Sequence, residues 1–225
     1  MKNIIEKPEF SREDVDILSD DTVYNAFFRV KKIGLRHKLF AGGWSQPMER
    51  EVFMRGDGVA AIIYDPTNDL VGLIQQFRVG ALANTLDTQN NATDNAPDAP
   101  SPWLLEIVAG MHKPNETAEQ TILQELKEEA NITPQRLEYI CQYYSSPGGA
   151  DEKLMLFCAL APLDQAGGVY GLEDENEDIK MVVYPADEVF QYLYEGIGNA
   201  TTLIGLQWLQ SNRERLQHEY LQRES

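Results

Sequence analysis

The chain has 225 residues, of which 43% are hydrophobic and 24% charged, so it can bury a sizeable core and is not a disordered chain. Its 19 Lys and Arg against 36 Asp and Glu give a formal net charge of −17, which argues against nucleic acid and anionic membrane surfaces as partners. The apolar runs are far shorter than a membrane-spanning helix, and the opening residues lack the apolar stretch of a secretory signal. Two cysteines form neither a disulfide framework nor a zinc site, so we expect a cytoplasmic protein.

The N-terminal quarter of the chain predicts a small β region. Residues 1–20 are polar and predict a loosely attached arm, whereas residues 22–40 mix aromatic and β-branched residues with basic ones, as half-exposed strands do. Another strand is expected to begin at residues 50–53. We therefore divide the chain into an N-terminal β region at residues 1–56 and a main domain at residues 57–225.

The first half of the main domain predicts buried strands interrupted by one polar segment. Residues 59–64 and 70–77 are short apolar runs separated by DPTND, which has the composition of a turn. Residues 84–101 are almost entirely Asn, Asp, Thr, Ala and Pro, which cannot bury enough apolar surface to become ordered. We interpret that segment as a flexible surface insertion. Residues 103–108 predict the next strand.

One helix is defined by signals at both of its ends. Thr117 and Gln120 form a capping-box pattern, which predicts that the helix starts near Thr117. Asn131, which tolerates the left-handed conformation, and Pro134 beyond it predict that the helix ends near Ala130.

The rest of the chain predicts three further strands and two further helices. The strands are expected at residues 137–144, 153–160 and 179–184, and the helices at residues 186–194 and 201–221. Because these elements do not follow strict βαβ alternation, they indicate an α+β fold with helices packed on a mixed sheet.

The chemically informative feature is a group of carboxylates on the first predicted helix. With about 100° per residue, Glu125, Glu128 and Glu129 fall within an arc of about 100° beside the apolar stripe. Charges this close repel one another, and hard oxygen ligands without nearby His or Cys favour Mg²⁺ or Mn²⁺ over zinc. The alternative is a solvated acidic face, because glutamates occur at this spacing by chance in so acidic a chain.

The spacing around these glutamates resembles the Nudix box, G-x5-E-x7-R-E-U-x-E-E-x-G-U, in which U is a bulky aliphatic residue. Seven of the nine defined positions match, and they are Gly110, Glu116, Glu125, Leu126, Glu128, Glu129 and Ile132. Asn131 replaces the second glycine and is the next-best residue for a left-handed helix end. Gln124 replaces the arginine, and its amide can donate a hydrogen bond but carries no charge.

Further segments are similar to the ADP-ribose pyrophosphatase branch of the Nudix hydrolases. Pro147 lies fifteen residues after Ile132, which is a marker of that branch, and the segments WLLEIVAGM and GLEDENEDI also resemble it. The resemblance implies an α/β/α sandwich with a mixed sheet and a loop–helix–loop catalytic motif. It also implies Mg²⁺-dependent hydrolysis of ADP-ribose to AMP and ribose 5-phosphate, by a homodimer that exchanges its N-terminal strands.

Carried over position by position, the resemblance implies a role for each of a set of residues. The ligands of Mg²⁺ would be the Ala109 carbonyl and the side chains of Glu125, Glu129 and Glu177. Glu175 would be the general base, with Glu128 as the other catalytic candidate. The substrate-binding residues would be Phe27, Phe28, Arg50, Glu51, Arg55, Arg78, Met111, Ser146, Pro147, Gly148 and Glu152.

Three alternatives stay open at this point. The box recognises a pyrophosphate, so GDP-mannose, another nucleoside diphosphate sugar or a dinucleotide could replace ADP-ribose as the substrate. Gln124 is compatible with a Nudix-fold ligand-binding protein that has lost catalysis. The third alternative is an acidic α+β protein whose glutamates only face solvent.

Overall fold

The computed structural model describes residues 7–83 and 101–224 of the chain. These residues form two compact units. The first unit is drawn from Met1–Gly56 and Tyr144–Lys153, and the second from Asp57–Tyr143 and Leu154–Ser225. The insertion predicted at residues 84–101 lies outside the described residues, apart from its last member, Ser101. Among the helices of the described residues, none is both long enough and apolar enough to cross a bilayer.

The first unit is built on a three-stranded antiparallel sheet. Its strands are β1 (Val15–Asn25), β2 (Arg29–His37) and β3 (Met48–Met54), and they pair in that order. The arm predicted for residues 1–20 is therefore wrong from Val15 onward, where β1 begins. Two register shifts, the first between Ile17 and Ser19, break the side-chain alternation that marks a regular strand in a sequence.

The second unit contains a mixed sheet of eight strands. They are β4 (Gly58–Asp65), β5 (Leu70–Phe77), β6 (Trp103–Glu106), β7 (Val108–Met111), β8 (Arg136–Tyr144), β9 (Lys153–Leu160), β10 (Gly168–Tyr170) and β11 (Ile179–Pro185). The order is β10-β11-β5-β4-β9-β8, with β6 paired to β5 and β7 paired to β4. β4 and β9 run parallel, whereas β4 is antiparallel to β5 and β7. The sequence did not predict β10, which has only three residues and so shows no periodicity.

Helices cover both faces of this sheet. They are α1 (Ala118–Ala130), α2 (Ala186–Gln191) and α3 (Ala200–Glu224). Along the fully buried β4, Ile62 and Tyr64 join a core shared with α2 and α3, whereas Ala61 and Ile63 join a core shared with α1. Since successive strand residues point to opposite faces, the helices form two layers with the sheet between them. The α+β class and the α/β/α sandwich are confirmed.

Several element boundaries differ from the prediction, and the last helix extends to Glu224 instead of residue 221. The helix predicted over residues 186–194 ends at Gln191. The strand predicted over residues 103–108 is interrupted at Ile107, because the chain there leaves its pairing with β5 and begins its pairing with β4. The Ile107 N–H is satisfied instead by the Thr202 hydroxyl, at 3.1 Å.

Candidate active site

Helix α1 is held at both ends by the caps that the sequence predicts. The Thr117 hydroxyl accepts a hydrogen bond from the Gln120 N–H at 3.2 Å, and the Gln120 side chain accepts one from the Thr117 N–H at 2.8 Å. At the other end Asn131 is left-handed, with φ 54° and ψ 32°, and its N–H donates to the carbonyl oxygens of Leu126 and Lys127. The caps determine where the helix begins and ends, and hence which carboxylates face the sheet.

Glu129 is the buried carboxylate of the site. It is 3% exposed, and its Oε2 accepts a hydrogen bond from the Ala109 N–H at 3.2 Å. Burial raises the pKa of Glu129 to about 8, an effect that the Ala109 N–H opposes and the charges of Glu125 and Glu177 reinforce. Ala109 lies in β7, which ends at the exposed Met111. The sequence predicted Glu129 at the border of the buried face, whereas the structure buries it.

Glu125 lies against the backbone of the box glycine. A Cβ atom at Gly110 would overlap the Glu125 carboxyl group, so a larger residue there would displace the carboxylate. Burial raises the pKa of Glu125 to about 7, against the opposing charge of Lys113, whose Nζ lies 3.8 Å from Oε1. The other box glutamate, Glu116, accepts a hydrogen bond from the Thr121 hydroxyl at 2.9 Å, which ties the loop before α1 to the helix.

Gln124, which stands where the box has arginine, contacts a catalytic candidate. Its Nε2 donates to Oε1 of Glu128 at 2.7 Å, one helical turn further along. The amide thus reaches this carboxylate without adding a positive charge. The main-chain oxygen of Glu128 accepts a hydrogen bond from the Gly171 N–H at 3.2 Å, which attaches the acidic segment after Gly171 to α1.

That acidic segment adds two carboxylates to those of the helix. It forms a single 3₁₀ turn, and Oε2 of Glu177 accepts a hydrogen bond from the Leu172 N–H at 3.2 Å. Burial and the charge of Lys113 have the largest effects on the pKa of Glu125. The charges of Glu128, Glu177 and Glu175 come next, and all three raise this pKa. The side chains of Glu125, Glu128, Glu129, Glu175 and Glu177 are called the carboxylate cluster below, because their charges act on the pKa of Glu125 or of Glu129.

The oxygen atoms of this cluster suit a hard divalent cation. Mg²⁺ and Mn²⁺ prefer carboxylate and carbonyl oxygens, and a cation would offset the burial and repulsion that raise the pKa of Glu125 and Glu129. Within residues 7–83 and 101–224, no three His, Cys, Asp or Glu side chains already form a ready-made ligand group. Glu128 and Glu177 are instead engaged in the hydrogen bonds given above. The residue types of the cluster fit the ion.

Arg78 is held by a carboxylate that the sequence analysis did not select. Its Nε donates to Oε2 of Glu106 at 2.7 Å, and Glu106 is 2% exposed. The other oxygen of Glu106 accepts a hydrogen bond from Asn199 Nδ2 at 2.6 Å. The charge of Arg78 also opposes the rise that burial causes in the pKa of Glu129, so Arg78 belongs to the electrostatics of the cluster. An acidic residue inside the apolar segment WLLEIV was the available signal, since a buried carboxylate needs partners.

Several substrate-binding candidates of the first unit contact one another. The Phe28 ring centroid lies 4.7 Å from that of Phe27 and 4.9 Å from that of Phe53. The guanidinium carbon of Arg55 lies 5.8 Å from the Phe28 centroid, and Arg55 Nε pairs with Glu152 Oε1 at 2.6 Å. Phe27 is 83% exposed, so one large ring is available for contact.

The other candidates of the first unit lie on strand β3 and in the turn that precedes Glu152. Arg50 and Glu51 are consecutive exposed residues of β3. Ser146, Pro147 and Gly148 lie in a turn that is closed by hydrogen bonds to the Ser146 carbonyl at 3.0 and 3.1 Å. The structure therefore distributes the predicted set between its two units, with the carboxylate cluster, Arg78 and Met111 in the second.

Comparisons with known proteins agree with this site. A NUDIX domain profile matches residues 54–203. The ADP-ribose pyrophosphatase of Haemophilus influenzae is 40% identical to this chain over 97% of the chain and 96% of that protein. The ADP-ribose pyrophosphatase of Escherichia coli K12 is 36% identical, over 94% of the chain and 95% of that protein. The GDP-mannose pyrophosphatase of Cronobacter sakazakii is 32% identical over 72% of the chain and 78% of its own length.

A solved structure supports the fold. The crystal structure of an ADP compounds hydrolase matches with a TM-score of 0.63 at 20% identity, over 90% of this chain and 98% of that one. The profile covers the box, the acidic segment and the sheet that joins them. The box predicted from the sequence is thus confirmed by an independent comparison, and the chain belongs to the Nudix hydrolase family.

Proposed function

We propose that this protein is an ADP-ribose pyrophosphatase, which hydrolyses ADP-ribose to AMP and ribose 5-phosphate. The observation that carries this proposal is 40% identity, over nearly the whole of both chains, to a protein named ADP-ribose pyrophosphatase. The carboxylate cluster supports the same chemistry, because an anionic diphosphate needs cations to approach a chain with a formal net charge of −17.

We assign the divalent cation, Mg²⁺ or Mn²⁺, to the oxygens of the cluster. The Ala109 carbonyl and the carboxylates of Glu125, Glu129 and Glu177 would hold it. When bound, such an ion offsets the charge of the diphosphate and lowers the pKa of a water molecule. The chain itself contributes the partly buried arrangement of carboxylates, and the burial and repulsion that raise the pKa of Glu125 and of Glu129 support the assignment of a cation to them.

The reaction is a hydrolysis in which one water molecule is consumed. The water oxygen bonds to one phosphorus, and the bond between that phosphorus and the bridging oxygen breaks. The bridging oxygen leaves as part of the other phosphate group. We assign the base that takes the water proton to Glu175, which is exposed, and keep Glu128 as the second candidate. Comparing the pH dependence of kcat in Glu175→Gln and Glu128→Gln separates the two assignments.

Substrate recognition is assigned to arginines and aromatic rings. Phe27 and Phe28 offer ring faces for adenine, and the guanidinium groups of Arg50, Arg55 and Arg78 suit phosphate and ribose oxygens. The other proposed substrate contacts are Glu51, Met111, Ser146, Pro147, Gly148 and Glu152. We also propose that the protein is a cytoplasmic homodimer formed through the N-terminal strands. The exposed apolar residues of the first unit support this dimer. A measurement of light scattering tests it.

GDP-mannose is the second candidate substrate. It is favoured by the GDP-mannose pyrophosphatases, which are 29% to 32% identical to the chain and cover less of it than the first relatives do. A ligand-binding protein without catalysis has less support. All four glutamates of the box are present, and Gln124 still donates a hydrogen bond to Glu128.

The test is hydrolysis of ADP-ribose with and without about 5 mM Mg²⁺, with AMP quantified. We expect AMP release that depends on the cation and is lost in Glu129→Gln. A kcat/KM at least about tenfold higher for GDP-mannose would transfer the assignment to that substrate. If the protein releases no product from ADP-ribose or from GDP-mannose, catalysis on these two substrates is refuted.

A further inference from the structure

The buried carboxylate of Glu106 connects Arg78 to the start of α3. One of its oxygens accepts a hydrogen bond from Arg78 Nε at 2.7 Å, and the other accepts one from Asn199 Nδ2 at 2.6 Å. Within the described residues, the two terminal nitrogens of Arg78 have no hydrogen-bond partner, and the side chain is 39% exposed. Arg78 is therefore anchored at Nε, while the end of its guanidinium is accessible.

The orientation of Asn199 follows from its position at the helix terminus. Asn199 directly precedes α3, and its Oδ1 accepts hydrogen bonds from the Thr202 N–H at 3.0 Å and the Thr202 hydroxyl at 3.3 Å. The amide nitrogen must then face Glu106, because the opposite orientation would set an oxygen against the carboxylate. Thr202 is fully buried and accepts a hydrogen bond from Ile107, the residue after Glu106, so the Glu106 and Thr202 end of the network is shielded from solvent.

The bond from Asn199 orients the carboxylate that holds Arg78. A free carboxylate binds a guanidinium through two parallel hydrogen bonds, which would occupy Nε and one terminal nitrogen. In this structure Glu106 accepts from Asn199 at one oxygen and from Arg78 at the other, and the hydrogen bond to Arg78 involves only Nε. Among the residues that the structure describes, nothing else bonds the two terminal nitrogens, which can therefore meet a ligand while the partly exposed side chain is kept in one orientation.

We propose that Glu106 and Asn199 are positioning residues, which hold Arg78 so that its two terminal nitrogens meet the diphosphate oxygens of the substrate. The inference rests on the proposed function, because it takes a nucleoside diphosphate derivative as the ligand of Arg78. Neither residue belongs to the Nudix box, and Asn199 is 121 residues from Arg78 along the chain. Holding a charged donor in place before binding reduces the entropy lost when the substrate is bound.

A double-mutant cycle between Asn199 and Arg78 tests the proposal. Asn199→Ser keeps a hydroxyl that can cap α3 but is too short to reach Glu106. We expect it to lower kcat/KM for ADP-ribose about tenfold, mostly through KM, with a small change in Tm. Arg78→Ala should lower kcat/KM about 100-fold, and the double variant should be no worse than Arg78→Ala within about twofold. Asn212→Ser, further along the same helix, is the matched control and should leave kcat/KM unchanged.

Two outcomes would overturn the proposal. One is an unchanged kcat/KM in Asn199→Ser, and the other is a double variant whose loss is the product of the two single losses, since independent effects multiply. If Asn199→Ser does not fold, Glu106→Gln replaces it in the same cycle with the same expectations. If the wild-type protein does not hydrolyse ADP-ribose, the proposed function fails. The double-mutant cycle is then repeated with the Kd for ADP-ribose, measured by calorimetry. Losses of affinity that multiply in the double variant would again overturn the inference.

Discussion

Replacing the buried carboxyl of Glu129 with glutamine is expected to stabilise the cation-free protein while abolishing its activity. The pKa of Glu129 is raised from 4.5 for an unperturbed glutamate to about 8 in the folded chain. Because the pKa of Glu129 is higher in the folded chain, its protonated side chain contributes fully to the unfolding free energy below pH 4.5. This contribution is lost as the pH rises through about 8. At about pH 7 the lost contribution is about 3 kcal/mol, since one pKa unit corresponds to about 1.4 kcal/mol.

Glutamine avoids this loss because it does not ionise. Its amide oxygen can still accept the hydrogen bond from Ala109, which the carboxylate accepts at 3.2 Å. In a chelator at about pH 7, we expect Glu129→Gln to raise the free energy of unfolding by about 1–3 kcal/mol. At about pH 4.5 the difference should nearly vanish. Mg²⁺ should stabilise the wild-type protein and not the variant, because a ligand that binds only the native state stabilises it.

Urea unfolding followed by the fluorescence of the three tryptophans measures the effect. Glu119→Gln is the matched control, because Glu119 is an exposed glutamate in the first turn of the same helix. It should leave the pH dependence of the unfolding free energy as it is in the wild-type protein. The reasoning is refuted if the unfolding free energy of the wild-type protein does not fall between about pH 5 and about pH 8. A Glu129→Gln protein less stable than wild type at about pH 8 would refute it equally.

Substitutions at three further positions probe the geometry of α1. Gly110→Ala should push the Glu125 carboxylate aside and lower kcat at least about 100-fold with an unchanged circular dichroism spectrum; full activity would contradict the steric argument. Gln124→Ala removes the 2.7 Å hydrogen bond to Glu128 and should lower kcat about tenfold at constant KM, whereas Gln124→Arg should keep or raise kcat. An increase of more than about 100-fold in Gln124→Arg, from a negligible baseline, would instead favour a ligand-binding protein. Asn131→Ala should cost about 1 kcal/mol of unfolding free energy, because alanine is strained at φ 54°, and Asn131→Gly should not; equal losses in urea unfolding would exclude this explanation.

The parts of the fold that were predicted correctly depend on local signals. Helix α1 was expected over residues 117–130 and is observed over Ala118–Ala130, because its capping box and its left-handed end are encoded within a few residues. The apolar strands β4, β5 and β9 were found for the same reason. The first part of β1 was missed because its register shifts depend on its pairing with β2, which a local pattern does not reveal.

For the carboxylates of the site, too, only the local relations could be predicted from the sequence. The spacing of the box identified Glu125, Glu128 and Glu129 as neighbours on one helix face, since that relation depends only on helix geometry. The burial of Glu129 depends on how α1 packs on the sheet, and its pKa depends on charges that arrive from the acidic segment.

Arg78 shows most clearly what the tertiary structure adds. The family resemblance implied a substrate contact for Arg78, but its partners Glu106 and Asn199 come from β6 and from the start of α3. Those contacts form only when the sheet and the second helical layer pack together, so no local pattern could predict them. Chemical identity and local spacing are properties of the chain, whereas burial, charge environment and the partners of a side chain arise from contacts between residues distant in sequence.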